Sequence, residues 1–249
     1  MYHSDNQCHV LVTRTSPHCV TKTTDMTKRA AVLLPSQLRH LLRVTEATSR
    51  YPERDVLILW LGFSCGLRVT ETARLTVADV LLPSGRLKSE ISLRAEITKG
   101  CRQRLAYLTH PKLIAALERY IAWRKVKRFA CTFNDRQFRG LNPASRLILT
   151  WKGGPYELNL KRTVNKAGEP VEYWAADSLQ AYIKGLYRAA GLHRASSHSG
   201  RRTFASRLLA AGESLETVQA LLGHADLDHV MPYLEVNEDT LREMFEVVV

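Results

Sequence analysis

The segment from His198 to Tyr233 contains the residue types that an enzyme needs to bind and attack a phosphodiester. Arg201 carries a planar, permanently charged guanidinium that can hold a phosphate, and His198, three residues earlier, can share that anion or move a proton near neutral pH. A phenol has a pKa of ~10, so Tyr233 becomes a useful nucleophile only beside a base or a strongly positive group. The segment supplies both, and it therefore predicts chemistry at a phosphate ester.

The same residues resemble a motif of the phage-integrase-type tyrosine recombinases. Members of that family have an H-x-x-R pair, then L-G-H, then a tyrosine nine residues further on. In this chain the pair is His198 and Arg201, the triplet ends at His224, and Tyr233 follows at the family's spacing. The resemblance covers roughly residues 33–249.

Two further family motifs lie upstream. The family has a G-L-R-x-x-E box, which Gly66–Glu71 matches with Arg68 as its arginine, and a lysine in a β-hairpin turn, for which Lys99 is the candidate. Glu71 is interpreted as a structural partner of Arg68. The resemblance therefore implies the catalytic residues Arg68, Lys99, His198, Arg201, His224 and Tyr233.

The resemblance also implies a reaction. Tyr233 would attack a backbone phosphorus of double-stranded DNA to give a 3′-phosphotyrosyl link and a free 5′-hydroxyl. Arg68 and Arg201 would stabilise the negative charge that develops on the non-bridging oxygens, a role that a metal ion has in other enzymes. Neither a metal nor another cofactor is therefore expected.

The remaining residues receive roles in proton transfer and phosphate binding. By resemblance, His198 is the base or proton shuttle, Lys99 is the acid for the leaving oxygen, and His224 is a further phosphate donor. The expected protein is a site-specific DNA recombinase that acts as a homo-oligomer, a tetramer on paired sites, in the bacterial cytoplasm at the nucleoid. The sequence does not separate integration, excision, inversion and resolution, or a nicking-closing topoisomerase.

A non-catalytic interpretation competes for part of this segment. Apolar residues at helical spacing predict two helices around Ala211-Gly212, and alone these resemble a helix-turn-helix. A DNA-binding regulator of that kind would place its second helix in the major groove. The recombinase interpretation is favoured because His224 and Tyr233 have no role in such a regulator.

Composition is consistent with an anionic partner. The chain of 249 residues has 45% hydrophobic residues, enough for one large domain or two small ones. Its formal charge of +12 and pI near 9.7 favour nucleic acid or an acidic membrane surface as the partner. A merely basic protein is the alternative.

Cysteine usage indicates a reducing compartment. The cysteines are odd in number and never spaced as C-x-x-C: Cys8, Cys19, Cys65, Cys101 and Cys131. A zinc site at Cys8-His9 and His18-Cys19 is disfavoured because both pairs lie in a polar tail. The longest apolar run, Val56–Leu61, is too short to span a membrane, and no signal-peptide pattern is present, so a soluble protein is expected.

The predicted fold is mainly helical with a small antiparallel β-sheet, the catalytic-domain fold of the tyrosine recombinases. Residues 1–32 are polar and without period, which predicts a flexible N-terminal arm, and residues 33–249 form the catalytic domain with a C-terminal helix. The family's separate DNA-clamping domain, of roughly 80 to 100 residues, cannot fit before Leu33. The layout is therefore similar to that of compact single-domain members.

The first elements are predicted to place Arg68. A helical stripe begins near Leu34-Pro35 and runs to about Thr48, and Arg54–Ser64 is nearly continuous in apolar residues, which predicts a core helix ended by Gly66. Arg68 then begins a short helix. Two-residue alternation from Leu87 to Leu108 predicts a β-hairpin whose turn is Lys99-Gly100-Cys101.

The middle of the chain combines one helix with less regular segments. Pro111 opens a predicted helix that ends near Phe129, and its basic end either follows a phosphate backbone or is an ordinary solvated terminus: Arg124, Lys125, Lys127 and Arg128. Leu147–Leu149 is predicted as a short strand, and residues 152–155 form a turn. Residues 156–174 are interpreted as a long connection with a role in DNA contact, and a helix follows from about Ala175 to Ala190.

Two features concern the end of the chain. Pro232 precedes Tyr233 directly, which places the tyrosine at a helix break or in a turn. Asn237 is a candidate N-cap for a final helix, which docks either on a neighbouring subunit, as in the family, or on its own chain.

Overall fold

The structure is a computed structural model, and it describes residues 30–93, 103–164 and 168–223. In these ranges the chain is mainly helical, with short antiparallel strand pairs, as the sequence predicted. The strands of the described ranges form two separate two-stranded sheets instead of one. Several predicted features lie outside the described residues: the arm up to residue 29, Lys99 with its turn, His224, Tyr233, Pro232 and the final helix.

Two helices form the first layer of the core. Helix α1 (Pro35–Thr48) begins with a proline. Proline suits the first turn because it lacks a backbone N–H, and the N–H groups of a first turn have no partner within the helix. Helix α2 (Pro52–Cys65) is buried along almost its whole length and packs against α1. It ends at Gly66, whose φ of +58° is the left-handed conformation that glycine adopts without strain. These two predictions are confirmed.

Two short helices follow the end of α2. Helix α3 (Val69–Arg74) starts directly after Arg68, as expected, and Arg68 N donates to the Glu71 carboxylate at 2.8 Å. This bond satisfies one of the backbone donors that the first turn leaves open. Helix α4 (Val77–Val80) was not predicted, because four residues give no helical period.

The predicted hairpin is confirmed in its strands. Strand β1 (Glu90–Leu93) pairs antiparallel with β2 (Arg104–Tyr107), and Leu93 lies opposite Arg104. Alternate residues point inward, so Arg104 and Ala106 are buried on β2 while their neighbours are exposed. Arg104 therefore faces the interior of the protein.

Helix α5 (Pro111–Val126) ends three residues before the predicted end at Phe129. The helix cannot continue, because Arg128 and Ala130 have φ values of +54° and +50°. Lys125 is exposed, with 44% of its side chain accessible, which both interpretations of the basic end require.

Arg124 contradicts both interpretations of the basic helix end. Its side chain is fully buried, and its guanidinium donates to the carbonyl oxygens of Arg146, Leu147 and Phe129 at 3.0, 3.1 and 3.2 Å. It also donates to Ser145 Oγ at 3.0 Å. Arg124 thus closes the loop that follows α5 and is not available to a phosphate backbone.

Two predictions between residues 130 and 175 are wrong. Leu147–Leu149 is buried but forms no strand, and its only bridge within the described residues is the isolated pair of Leu149 with Pro155. The supposed long connection contains a second hairpin, β3 (Asn159–Val164) paired with β4 (Pro170–Ala175). Most of β3 is exposed, so it lacks the apolar alternation by which a strand is recognised in sequence.

The last described helices are close to their predicted bounds: α6 (Asp177–Ala189), α7 (Ser199–Ala210) and α8 (Leu215–Leu222). Gly212 and Gly223, which lie just past the ends of α7 and α8, have φ values of +90° and +61°. Helix α7 crosses α2 where two glycines meet: a Cβ built on Gly200 would lie 3.1 Å from the backbone of Gly62. The close approach brings the start of α7 to the end of α2.

Among the described residues the core has two parts. The large cluster lies among α1 to α6 and the inner face of β1 and β2, and a small one, Ala205, Val218 and Leu222, joins α7 to α8. Helix α7 is therefore held between α2 and α8. Among the helices of the described ranges, none has both the length and the apolar character needed to cross a membrane.

Candidate active site

Glu71 is a fully buried carboxylate on α3 that pairs with three arginines, one at the start of its own helix and two from other elements. Its two oxygens lie 2.8 Å from Arg68 Nη1 and 2.6 Å from Arg104 Nη2, and Arg201 Nη1 is 3.9 Å away. Burial raises the pKa of Glu71, but the charges of Arg104, Arg201 and Arg68 outweigh burial and hold the pKa below its ordinary value. Glu71 is thus ionised at neutral pH, and the cluster keeps a surplus of positive charge.

Arg201 joins the ends of two helices. Its Nη1 donates to Gly66 O at 2.6 Å, just past the end of α2, and its Nη2 donates to Leu222 O at 2.5 Å, the last residue of α8. The last carbonyls of a helix lack partners within the helix and carry its negative dipole end. A buried guanidinium at this junction satisfies those oxygens and holds α2 and α8 together.

The other two arginines bind neighbouring carbonyls. Arg104 Nη1 donates to Leu221 O at 2.7 Å and its Nη2 approaches Gly66 O at 3.4 Å, while Arg68 Nη2 donates to Gly223 O at 3.3 Å. The three guanidinium groups therefore share one carboxylate and one set of helix-end carbonyls. We call Arg68, Arg104, Arg201 and Glu71 the arginine cluster.

The cluster depends on a glycine at the turn after α2. A Cβ on Gly66 would lie 2.6 Å from Phe204 Cδ1 and 3.0 Å from Leu222 Cδ2. Only glycine therefore lets α7 and α8 approach this turn closely enough for Arg201 to bind the Gly66 carbonyl. The turn also directs Arg68 outward: its side chain is 19% exposed, against 5% for Arg201 and 3% for Arg104.

His198 lies in the turn directly before α7 and is exposed. Two serines set this turn: Ser196 N donates to Ser199 Oγ at 2.9 Å, and His198 N donates to Ser196 Oγ at 3.3 Å. The first bond within the helix follows, from Arg202 N to His198 O at 2.9 Å. His198 is thus held one helical turn before Arg201, with its imidazole accessible to solvent.

The structure brings part of the predicted site together. Arg68 and Arg201 meet at Glu71, and His198 is carried by the same helix start as Arg201. Lys99, His224 and Tyr233 lie outside the described residues. Gly223, which directly precedes His224 in the chain, contacts Arg68, so the segment that carries both remaining C-terminal residues starts at the arginine cluster.

Arg104 was missed in the sequence. The signal was present: Arg104, Ala106 and Leu108 share the inner face of a predicted strand, and an arginine in such a position must find a partner when it is buried. The inward position of Arg104 on the strand therefore predicts an ion pair, although the sequence does not identify its partner. Within the part of the chain that the structure describes, no cluster of three His, Cys, Asp or Glu side chains is arranged to hold a metal ion.

The chain matches a known protein family over most of its length. The sequence model of the phage integrase family matches residues 31–240, which is most of the chain. The match begins just before α1 and includes every motif discussed above.

Curated relatives are similar over most of this chain. The tyrosine recombinase XerC of Agrobacterium fabrum is 28% identical over 222 residues, covering 86% of this chain and 58% of the relative. The tyrosine recombinase XerC of Bacillus subtilis is 27% identical over 215 residues, covering 86% and 59%. The chain thus spans less than two thirds of the length of these relatives.

Solved structures with a similar fold include two recombinases. The crystal structure of XerA recombinase superimposes with a TM-score of 0.62 at 22% identity, covering 87% of this chain and 64% of that one. The crystal structure of the XerH site-specific recombinase bound to a palindromic difH substrate is a post-cleavage complex. It superimposes with a TM-score of 0.57 at 20% identity, covering 87% of this chain and 53% of that one. At these identities the likeness establishes the fold.

Proposed function

The chain belongs to the phage integrase family, and on that premise we propose that it is a site-specific DNA recombinase. It cuts and rejoins DNA strands through a 3′-phosphotyrosyl intermediate formed by Tyr233. The observation that carries the proposal is the convergence of Arg68 and Arg201, far apart in sequence, on one buried carboxylate and adjacent helix-end carbonyls. A preorganised positive cluster of this kind stabilises a phosphoryl group whose negative charge grows during reaction.

The two family arginines have different tasks in this mechanism. Arg68 is the more exposed and meets a non-bridging oxygen of the scissile phosphate from the open side of the cluster. Arg201 is buried between α2 and α8, so it contributes a fixed positive charge that needs no reorganisation when the phosphate arrives. Glu71 keeps both guanidinium groups in place. Loss of one such group typically costs about a hundredfold in rate.

Proton transfer completes the proposed cleavage. The Tyr233 oxygen forms a bond to phosphorus as its proton passes to His198, and the phosphorus bond to the 5′-oxygen breaks as that oxygen takes a proton from Lys99. His224 donates a hydrogen bond to a non-bridging oxygen. Rejoining is the reverse: a 5′-hydroxyl from another strand attacks phosphorus, and Tyr233 leaves with its proton restored. The ester bonds are conserved in number, so no external energy source is required.

The proposed partner is double-stranded DNA. The net charge of +12 favours a polyanion, and the relatives similar to this chain are tyrosine recombinases by name. We place the protein in the bacterial cytoplasm at the nucleoid, where it acts as a homotetramer on paired sites. The arm of residues 1–32 and the final helix after Asn237 belong to the same proposal, as a DNA contact and a subunit contact.

A trapping experiment tests the function. Wild-type protein is incubated with a random-sequence library of duplexes that carry a nick close to the cleavage position, so that a short fragment diffuses away and prevents religation. Duplexes that become covalently attached are recovered and sequenced to give a substrate. On that substrate the wild type is expected to form a denaturant-resistant adduct, and Tyr233→Phe is expected to bind the duplex without forming any.

The controls separate chemistry from binding. Arg201→Ala is expected to lose at least about a hundredfold in adduct rate. If wild type and Tyr233→Phe both bind duplexes of the library and neither becomes covalently attached to any of them, the recombinase proposal is wrong. The helix-turn-helix regulator, in which α7 and α8 bind DNA without chemistry, then accounts for the protein.

A further inference from the structure

We infer that Arg104, outside the family motifs identified in the sequence, is a positioning residue that fixes the hairpin bearing Lys99 against the arginine cluster. The inference rests on the proposed function, because it concerns the delivery of a proton to the leaving 5′-oxygen. The Arg104 side chain is 3% exposed on β2, and its guanidinium joins segments that are distant in sequence. Its role is to set where the hairpin lies and not to touch the substrate.

The contacts of Arg104 converge on three structural elements. Its Nη2 lies 2.6 Å from Glu71 on α3, and the same nitrogen approaches Gly66 O at 3.4 Å at the end of α2. Its Nη1 donates to Leu221 O at 2.7 Å near the end of α8. Helix α8 also packs against β2 directly. One side chain thus ties the hairpin to the elements that carry the other described site residues.

Close packing makes this arrangement specific. A Cβ built on Gly223 would lie 2.8 Å from Arg104 Cδ, so the stem of the arginine fills the space beside the turn that follows α8. The planar guanidinium of an arginine donates to a carboxylate and to a carbonyl from different nitrogens, whereas a lysine has a single ammonium nitrogen for both. The position therefore requires an arginine and not merely a positive charge.

The hairpin links Arg104 to the proposed acid. Lys99 precedes Arg104 by five residues, so covalent geometry limits the distance between their Cα atoms to about 18 Å. Strand β2 begins at Arg104, opposite Leu93 at the end of β1, so Arg104 anchors the hairpin at the point where the described strands end. Loss of this anchor frees the hairpin from Glu71 and from α8. The expected consequence is a misplaced Lys99 and slow protonation of the leaving oxygen.

A sulfur-for-oxygen substrate distinguishes this role from general structural support. In the selected nicked duplex, the 5′-bridging oxygen of the scissile phosphate is replaced by sulfur. A thiol has a pKa of ~8.5, so a thiolate is a stable leaving group near neutral pH. An alkoxide is about as basic as hydroxide, whose conjugate acid, water, has a pKa of ~15.7, so it needs a proton from an acid as it leaves. The sulfur leaves as a thiolate without an acid. Cleavage of the sulfur substrate therefore does not depend on Lys99.

The rates of adduct formation on both substrates are measured for Arg104→Met and Lys99→Met. Both variants are expected to lose about a hundredfold or more on the oxygen substrate and to recover to within about tenfold of wild type on the sulfur substrate. Arg201→Ala is expected to be slow on both, because its charge acts on the non-bridging oxygens. Arg119→Met, a control at a half-exposed arginine that pairs with Glu46 on the surface, is expected to match wild type on both.

Arg104→Lys and urea unfolding cover the case in which Arg104→Met does not fold. The lysine variant keeps a charge for Glu71 but loses the fork, so it is expected to fold, to be slow on the oxygen substrate and to recover on sulfur. If Arg104→Lys matches wild type on oxygen, or if the folded variants remain equally slow on sulfur, the inference is wrong. If Lys99→Met fails to recover on sulfur, the proposed role of Lys99 is wrong as well. An absence of adduct with wild type would instead overturn the proposed function itself.

Discussion

Replacing Glu71 by glutamine tests whether one buried carboxylate holds the arginine cluster together. The substitution keeps the shape of the side chain but removes its charge and turns one acceptor into a donor that faces a guanidinium. Glu71 is fully buried and contacts Arg68 at 2.8 Å and Arg104 at 2.6 Å, with Arg201 at 3.9 Å. Glu71→Gln therefore leaves three arginines without their counter-charge.

The expected loss follows from that geometry. Breaking a buried ion pair by removing one partner costs about 3–5 kcal/mol, because the remaining charge is buried without compensation. We expect Glu71→Gln to lower the free energy of unfolding by about 4 kcal/mol, which corresponds to a fall in Tm of about 10 °C for a domain of this size. Urea unfolding followed by tryptophan fluorescence measures the change, since urea does not screen charges as a salt would.

Glu118→Gln is the matched control. Glu118 also pairs with both terminal nitrogens of an arginine, Arg139, but its side chain is 43% exposed. A solvated pair of this kind contributes less than about 1 kcal/mol. If the two glutamine variants lose equal amounts of stability, the conclusion that Glu71 organises the cluster is wrong.

The pH dependence gives the same test a second observable. The folded-state pKa of Glu71 lies below its ordinary value, so its contribution to stability is present above an unfolded-state pKa of ~4.3 and is lost as pH falls through the lower folded-state pKa. The difference between wild type and Glu71→Gln is expected to be constant from about pH 7 to pH 5 and to shrink below about pH 4. A difference that stayed constant into strong acid would show that the carboxylate charge is not its source.

Two further predictions concern residues outside the cluster. Arg124→Met is expected to lower the free energy of unfolding by about 3 kcal/mol, because it leaves buried carbonyl oxygens without donors. Lys125→Met, at the exposed neighbour, is expected to change that free energy by less than about 0.5 kcal/mol. Urea unfolding measures both variants, and equal effects would contradict the buried role of Arg124. Burial raises the pKa of Cys65 to about 12, so iodoacetamide at about pH 8 is expected to label exposed Cys131 and to spare Cys65 in the folded protein. Peptide mass spectrometry measures the labelling of each cysteine. Rapid labelling of Cys65 would contradict the prediction and show that its site opens.

Local signals explain most of the fold that was predictable. Gly66 ends α2 because only a residue without a side chain adopts its backbone conformation at no cost, and that rule needs no tertiary information. Alternating apolar residues revealed β1 and β2 because one face of that pair is buried. Where that signal was absent, as in the exposed hairpin of β3 and β4, the prediction failed.

Burial of charged residues was the main feature that composition could not reveal. Arg124 lies in a run of basic residues that resembles a solvated helix end, yet it is fully buried while Lys125 is exposed. The difference arises because the loop after α5 folds back and presents carbonyl oxygens to one face of the helix only. Arg104 in the candidate site is buried as well, although the alternation of its strand marked its inward position.

The sequence alone determined which side chains are available for chemistry and, for some of them, how close together they lie. His198 and Arg201 are three residues apart at a helix start, and the covalent chain ensures that they lie within one turn of each other. The tertiary structure alone decided that Arg201 reaches Gly66, 135 residues away, and that Arg104 reaches Glu71, 33 residues away. Those contacts depend on which helix ends pack together and exclude water. Hydrophobic periodicity specifies which face of a helix is buried but not which partner covers it.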